Sequence, residues 1–188
     1  MIYTNIPYAP INTNKNLGAA YNSFMNLLGE EDWACFVDHD ASFTTPDWYH
    51  QLEEIISLPN ADTFGMLTAV TNRVGNVEQI VFRKDSAEAY NHDMLFHRKI
   101  GRKLQQEDRL RLVEVSDPIS GVVVLISKNV WKQTNGFMNG FLSVDNEMDY
   151  QLRRLGYKNY IMAGVYCYHL YRANCLIEGG LTPTGYRL

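Results

Sequence analysis

The stretch that decides the fold is Trp33-Ala-Cys-Phe-Val37, which is followed at once by Asp38-His39-Asp40. Five apolar residues without a polar interruption predict a strand that is buried on both faces of a sheet. Ligands of α/β sheets bind outside the carboxyl ends of the strands, so we expect a functional site at residues 38–40. If the extended geometry continues, Asp38 and Asp40 point to one side and His39 to the other.

Strand and helix patterns alternate on both sides of this stretch. Further strands are predicted at residues 2–6, 64–70, 112–115, 121–126 and 160–168. Helices are predicted at residues 16–28, 86–106, 129–134 and 146–155, and another opens at Thr45-Pro46-Asp47 with a capping hydroxyl and a proline at the first helical position. Residues 71–82 fit neither period. The alternation predicts an α/β sandwich with a mostly parallel central sheet flanked by helices, formed by one domain over residues 1–170 with a tail at 171–188.

The composition excludes several classes of protein. The 188 residues carry 17 basic and 21 acidic side chains, so the chain lacks the basic surplus of a nucleic-acid binder. Its longest purely apolar run, residues 122–126, is too short to span a membrane. Cys35, Cys167 and Cys175 are odd in number and lack paired spacing, which is typical of reduced thiols. The first eight residues show no secretion signal, so we expect a cytoplasmic protein.

The acidic motif gains a possible partner at the end of the last predicted strand. Two converging carboxylates repel each other unless a cation or a proton lies between them. His169 follows the strand at residues 160–168, where it can face the same edge as Asp40. Carboxylates suit Mg²⁺ or Mn²⁺, and an added imidazole favours Mn²⁺, whereas the tetrahedral set of zinc is incomplete. The alternative interpretation is a polar strand end with solvated aspartates and a hydrogen-bonded histidine.

A second acidic cluster opens the helix predicted at residues 146–155. Asp145, Glu147 and Asp149 follow a glycine–aromatic loop at residues 135–141. Acids at the start of a helix are stabilised by its dipole, so helix capping by Asp145 is the simpler explanation, but it does not account for the loop. At about 100° per residue, Asp145 and Asp149 share a face, and Glu147 points about 200° away from Asp145. Only one of Asp145 and Glu147 can therefore face a substrate.

Together these motifs resemble family 2 glycosyltransferases of the GT-A fold. The matching motifs are, in order, Asn16-x-Gly18-x3-Asn22, Asp38-His-Asp40 (a DXD motif), Thr45-Pro-Asp-Trp48, Ser120-Gly121, Asn135-Gly-Phe137, Asp145-Asn-Glu147 with Gly156-Tyr-Lys158, and the strand ending in His169. No single motif is specific, but their order over about residues 2–170 is. The resemblance implies a Rossmann-like three-layer sandwich. It also implies an inverting, metal-dependent transfer of a sugar from a nucleotide-sugar, usually a UDP-sugar, to a hydroxyl acceptor.

The resemblance also assigns residues. Asp40 and His169 would hold Mn²⁺ or Mg²⁺ on the diphosphate, and Asp38 would contact the ribose or reach the metal through water. Asp145 aligns with the catalytic base, and Glu147 is the alternative. The nucleotide would be bound by Pro7, Tyr8, Lys15, Asn16, Asn22, Asp38 and His39. The donor sugar and the acceptor would contact Ser120, Gly121, Asn135, Gly136 and Phe137.

The sequence departs from the family at its nucleotide side, because only the strand at residues 2–6 precedes the helix at 16–28. A non-catalytic carbohydrate- or nucleotide-binding remnant of the fold is therefore one alternative. A sugar-nucleotide pyrophosphorylase is another, but Pro7-Tyr-Ala-Pro-Ile-Asn-Thr-Asn14 has neither the glycines nor the charge of its phosphate loop. The tail contains Gly179, Gly180, Pro183 and Gly185, which predict either an active-site lid or an unrelated flexible terminus.

Overall fold

A computed structural model describes residues 1–7, 16–83 and 86–171 of the chain. The strands are β1 (Ile2–Asn5), β2 (Trp33–Val37), β3 (Ala41–Phe43), β4 (Phe64–Thr71), β5 (Leu112–Glu114), β6 (Val123–Ser127) and β7 (Lys158–His169). The helices are α1 (Leu17–Leu27), α2 (Trp48–Ile56), α3 (Met94–Asp108), α4 (Lys128–Lys132) and α5 (Val144–Arg154). The strands form one sheet in the order β1-β2-β6-β4-β7-β3, with β5 paired to β7. The predicted α/β class is confirmed.

The sheet is mixed, which corrects the expectation of a mostly parallel one. β1 pairs with β2 and β4 with β7 in parallel, whereas the pairings of β6 with β2 and β4, and of β3 and β5 with β7, are antiparallel. An apolar strand such as β6 can pair in either direction, so its pattern carries no information on its orientation. β3 follows β2 after only the turn at residues 38–40, but it pairs antiparallel with β7 and not with β2.

The core lies on both faces of the sheet, as the apolar β2 predicts. Trp33, Cys35 and Val37 face one cluster of buried side chains, and Ala34 and Phe36 face the other. The first cluster is completed from α2 by Leu52 and Ile55. The second is completed from α1 and α5 by Tyr21, Met25, Met148 and Leu152. Helices therefore cover the sheet from both sides and fix the end of β2, where the acidic motif begins.

Two helices begin later than the sequence pattern predicts. The helix expected from residue 86 starts at Met94, because the Asp93 carboxylate accepts a hydrogen bond from the Leu95 N–H and caps it there. The helix expected to open with Thr45 starts at Trp48. Asp47 occupies its cap position without a side-chain cap bond, and its carboxylate instead pairs with Arg109 at 3.2 Å.

Two further expectations concern the thiols and the tail. Cys35 and Cys167 are buried and not joined in a disulfide, and burial raises the pKa of the Cys35 thiol to about 12. Cys175 and tail residues 172–188 lie outside the described residues. Within the described part of the chain, every helix is too short or too polar to cross a membrane.

A candidate metal centre at the carboxyl edge of the sheet

Four strands of the mixed sheet run in the same direction. β1, β2, β4 and β7 therefore end at one edge, which we call the carboxyl edge. After β2 the chain turns, with the Ala41 N–H donating to the Asp38 carbonyl at 3.0 Å, and enters β3. In β3, Ala41 pairs with His169 at the end of β7, and the Leu170 N–H donates to the Asp40 carbonyl at 2.9 Å. The pairing of β3 with β7 thus brings the two motifs together.

Asp38, Asp40 and His169 form what we call the ligand cluster. His169 Nε2 lies 3.3 Å from Asp40 Oδ1 and 4.0 Å from Asp38 Oδ2, and one ligand atom from each residue lies within 4.8 Å of the others. The other ring nitrogen, Nδ1, lies 2.8 Å from the Arg73 carbonyl, which can only accept a hydrogen bond. Nδ1 therefore carries the proton in the neutral ring, and the Nε2 lone pair faces the carboxylates.

The donor set fits a divalent cation. A cation about 2.0–2.3 Å from three ligands requires donor atoms roughly 3–4.5 Å apart, which matches the two separations from Nε2. Partial burial raises the pKa of Asp38 to about 6, and of its charged neighbours His169 opposes this rise while Asp40 adds to it. A cation between the carboxylates would relieve their mutual repulsion. A protonated His169 would suit the same contacts, so metal titration is the measurement that separates the two interpretations.

Asn72 holds His169 in place and was not found by the sequence analysis. Its Oδ1 accepts from the His169 N–H at 2.7 Å, and its Nδ2 donates to the carbonyls of His169 and Ala89, each at 3.1 Å. Asn72 is fully buried, directly after β4. The signal that could have found it is the one that identified Asp38, a polar residue at the end of a continuous apolar strand.

In the second acidic cluster, Asp145 and Asp149 accept hydrogen bonds from the backbone before β6. Asp145 Oδ2 accepts from the Gly121 N–H at 2.6 Å, and Asp149 Oδ1 accepts from the Ile119 N–H at 3.2 Å. The two carboxylates therefore share a face of α5, as predicted, and both hold the segment before β6. Asp149 is fully buried and also pairs with Arg153, so it is structural. The Glu147 side chain is partly exposed.

The charge of Asp145 acts on the ligand cluster, because it is one of the causes that raise the pKa of Asp38. Burial raises the pKa of Asp145 itself, which the Gly121 hydrogen bond opposes. Burial, followed by the charges of Asp38 and Asp145, raises the pKa of Tyr21. A Cβ on Gly121 would lie 3.1 Å from Asp145 Oδ2, so the glycine permits this close approach. Gly121 lies two residues before β6, whose first residue Val123 pairs with Val37 at the end of β2, so the partly buried Asp145 lies beside the carboxyl edge.

Ser120 is held by Gln79, another residue that sequence reasoning missed. The Ser120 N–H donates to Gln79 Oε1 at 2.8 Å, and Gln79 Nε2 donates back to the Ser120 carbonyl at 3.1 Å. Ser120 Oγ accepts from the Asn76 N–H at 3.0 Å. The segment at residues 72–79, whose pattern predicted neither helix nor strand, thus fixes the backbone next to Asp145.

The motif Asn16-x-Gly18-x3-Asn22 binds the loop at residues 136–140. Asn22 forms two hydrogen bonds of 2.8 Å with the backbone of Phe137, and Asn16 Oδ1 accepts from the Gly140 N–H at 2.9 Å. A Cβ on Gly18 would lie only 1.8 Å from the Met138 carbonyl oxygen. The side chains predicted to bind nucleotide at residues 16 and 22 are therefore engaged in anchoring this loop.

The other predicted site residues are dispersed. Pro7 follows β1 at the carboxyl edge, and His39 is exposed in the turn after β2. The Asn135 N–H donates to Gln151 Oε1 at 2.8 Å, and Gly136 has a φ of +74° in the turn after α4. Phe137 is 2% exposed, so its ring lies in the core. Tyr8 and Lys15 lie outside the described residues.

No protein-family model matches this chain, and no curated protein matches its sequence significantly. The chemistry of the site is therefore what indicates the function of this protein.

Proposed function

We propose that this protein is an inverting, metal-dependent glycosyltransferase. It would move a sugar from a nucleotide-sugar donor, a UDP-sugar by the resemblance of its motifs, to a hydroxyl acceptor. The observation that carries the proposal is the approach of His169 Nε2 to Asp40 and Asp38 at the carboxyl edge. Asp145 is held nearby by Gly121, the residue before Val122, whose carbonyl accepts from the Asp38 N–H at 3.0 Å. Four parallel-running strands that end at this edge support a GT-A-like arrangement.

Asp40 and His169 would hold the cation, with Mn²⁺ preferred over Mg²⁺ because an imidazole joins the carboxylates. A bound divalent cation neutralises the negative charge that grows on the leaving diphosphate. The Asp40 side chain is 8% exposed and that of His169 is 6% exposed, whereas that of Asp38 is 36% exposed. The greater exposure of Asp38 suits an outer role, in which it contacts the ribose or a water on the metal.

Asp145 would act as the base. The acceptor hydroxyl is a weak nucleophile, so a carboxylate must remove its proton as the bond to the anomeric carbon forms. Burial raises the pKa of Asp145, which strengthens it as a base. Its hydrogen bond to Gly121 holds the carboxylate in one orientation. Glu147, two residues later, is the alternative base.

Nucleotide binding and donor turnover test the proposal. Calorimetry with UDP should show binding that requires Mn²⁺ and is lost in EDTA. A panel of UDP-sugars incubated with the protein and Mn²⁺ should contain one from which UDP is released, because water substitutes slowly for the acceptor. Failure of UDP and the other nucleoside diphosphates to bind with Mn²⁺ present would contradict the proposal.

A non-catalytic nucleotide- or carbohydrate-binding protein is the second candidate. It is favoured by the short nucleotide side, where β1 has four residues and Asn16 and Asn22 are engaged with the loop at residues 136–140. This protein would bind UDP or a sugar with Mn²⁺ and release no UDP from any donor. The same two measurements therefore separate the candidates.

A further inference from the structure

Arg73 is a buried cation with unsatisfied donors. It is 5% exposed and directly follows Asn72 at the end of β4. Its Nη2 donates to the Leu170 carbonyl at 2.5 Å. Its Nε and Nη1 atoms are buried and have no hydrogen-bond partner among the described residues. Buried charged groups normally have an opposite charge or hydrogen-bond partners beside them, so two buried donors without a partner are unusual.

Arg73 adjoins the ligand cluster. Its carbonyl accepts the His169 Nδ1–H bond that turns Nε2 toward the carboxylates. Its guanidinium lies 4.6 Å from the centre of the Tyr90 ring and 5.7 Å from that of Tyr171. The Tyr171 ring also lies 5.4 Å from the His169 ring, so one side chain contacts both the guanidinium and the histidine.

The surroundings of Arg73 have opposing effects on its charge. Burial lowers the pKa of Arg73, whereas the neighbouring Tyr90, Tyr168 and Tyr171 raise it. The two rings provide cation–π contacts, which compensate only partly for lost hydration. Arg73 forms no ion pair with a carboxylate in residues 1–7, 16–83 and 86–171. In addition, Tyr171 has a φ of +55°, a backbone conformation unfavourable for a tyrosine.

We propose that Arg73 is the anion receptor of this site and binds phosphate oxygens of a ligand that the cation on Asp40 and His169 holds from the other side. The inference rests on the proposed function for the cation and deepens it by naming the residue that receives the diphosphate. Guanidinium groups bind phosphate oxygens well because their several N–H donors are fixed in one plane. Because the Tyr171 ring lies 5.7 Å from the guanidinium, it has to move for the anion to reach the buried Nε and Nη1 atoms.

Inorganic pyrophosphate is the probe, because it offers the diphosphate without base or sugar. In the protein with ¹⁵N-labelled arginine and saturating Mg²⁺, the Arg73 Nε–H resonance should shift on titration with pyrophosphate. The resonance is assigned through the backbone of Arg73, so this measurement needs no variant. A parallel titration with inorganic phosphate shows whether one phosphate is sufficient.

Calorimetry on variants gives the second measurement. Arg73→Gln should weaken Mn²⁺-dependent pyrophosphate binding about 10- to 100-fold, the usual range for a hydrogen bond to a charged group. Arg73→Lys should recover part of the loss. The exposed Arg102→Gln is the matched control and should bind like the wild type. Mn²⁺ affinity without anion should be unchanged in Arg73→Gln, which separates lost anion binding from a damaged ligand cluster.

The inference is overturned if pyrophosphate binds while the Arg73 resonance stays in place, or if no anion binds with the cation present. Mn²⁺-dependent UDP binding that is indifferent to Arg73 would end this inference and leave the proposed function standing. Pyrophosphate binding that requires Arg73, in a protein that transfers no sugar from any donor, would support the inference and reject the transferase.

Discussion

His169 can offer only one atom to a ligand, because its Nδ1–H is held by the Arg73 carbonyl. Nε2 lies closest to Asp40, whose side chain is nearly as buried as that of His169 itself. Asp38 is farther from Nε2 and more exposed. The three residues of the ligand cluster are therefore unequal, and their substitutions should have unequal effects.

Asp40→Ala should abolish Mn²⁺-dependent binding of UDP, because it removes the carboxylate nearest to Nε2. Asp38→Ala should only weaken it. UDP calorimetry with Mn²⁺ and with EDTA measures both effects, and circular dichroism checks the fold. The exposed Asp62→Ala controls for the loss of one negative charge and should bind like the wild type. Equal UDP affinity in Asp40→Ala, in EDTA and in the untreated protein would contradict the metal assignment.

Asp145→Asn should retain Mn²⁺-dependent donor binding and lose sugar transfer by about 10²–10⁴-fold, the usual contribution of a positioned base. Donor turnover and UDP calorimetry measure the two properties. Because Asp145 accepts from the N–H groups of Gly121 and Asn146, the amide leaves one of them without an acceptor. We therefore also expect a stability loss of about 1–3 kcal/mol.

Glu147→Gln is the matched comparison, because it neutralises a carboxylate two residues later on the same helix. Its transfer rate should fall less than that of Asp145→Asn. The opposite result, an inactive Glu147→Gln with an active but unstable Asp145→Asn, would make Asp145 a purely structural acid and Glu147 the base.

At the scale of elements, α1 is placed by contact with a loop as well as by its apolar face. Asn16, Gly18 and Asn22 all face the loop at residues 136–140, and the Gly18 N–H donates to the Gly140 carbonyl at 3.2 Å. The loop leads into α5, which carries Asp145. The approach of α1 to this loop therefore sets where the proposed base lies.

Gly18→Ala tests this contact. In an isolated helix, alanine would be favoured over glycine by about 1 kcal/mol. Here the new Cβ would lie 1.8 Å from a backbone oxygen, and overpacking of this kind costs about 1–3 kcal/mol or more. We expect the variant to unfold at lower urea concentration than the wild type. Ser23→Ala, at an exposed position of the same helix, is the control and should leave the urea midpoint unchanged. A Gly18→Ala variant as stable as this control would show that the contact with Met138 is not tight.

The elements also show what the sequence could predict. The buried β2 and the polar residues after it were predictable because both signals are local. The direction of β6 was not, because it depends on which distant strands pair with it. Arg73 was missed for the same reason, since its partner lies at residue 170, whereas Asn72 carried the local signal of a polar residue after an apolar strand and was overlooked. The pattern at Asn22 identified a special residue, but its partner in the loop after α4 was visible only in the structure.

At the scale of the whole molecule, cation binding by the ligand cluster would stabilise the folded state. A cation that binds only the folded chain at 100 times its dissociation constant adds about 2.7 kcal/mol. For a domain of this size, that corresponds to a rise in melting temperature of roughly 5–10 °C. Thermal unfolding with Mn²⁺ and with EDTA should show the rise, and Asp40→Ala should show none. An equal rise in Asp40→Ala would place the stabilising ion elsewhere.

The pairing of Ala41 with His169 has a consequence for kinetics. It joins an early segment of the chain to the last strand, and such distant contacts tend to form late because loop closure must precede them. A cation at Asp40 and His169 would therefore meet its ligands only after the folding barrier has been crossed. Stopped-flow measurements should then find refolding as fast with Mn²⁺ as without it, and unfolding slowed by nearly the full equilibrium effect. The ion would slow unfolding without accelerating folding.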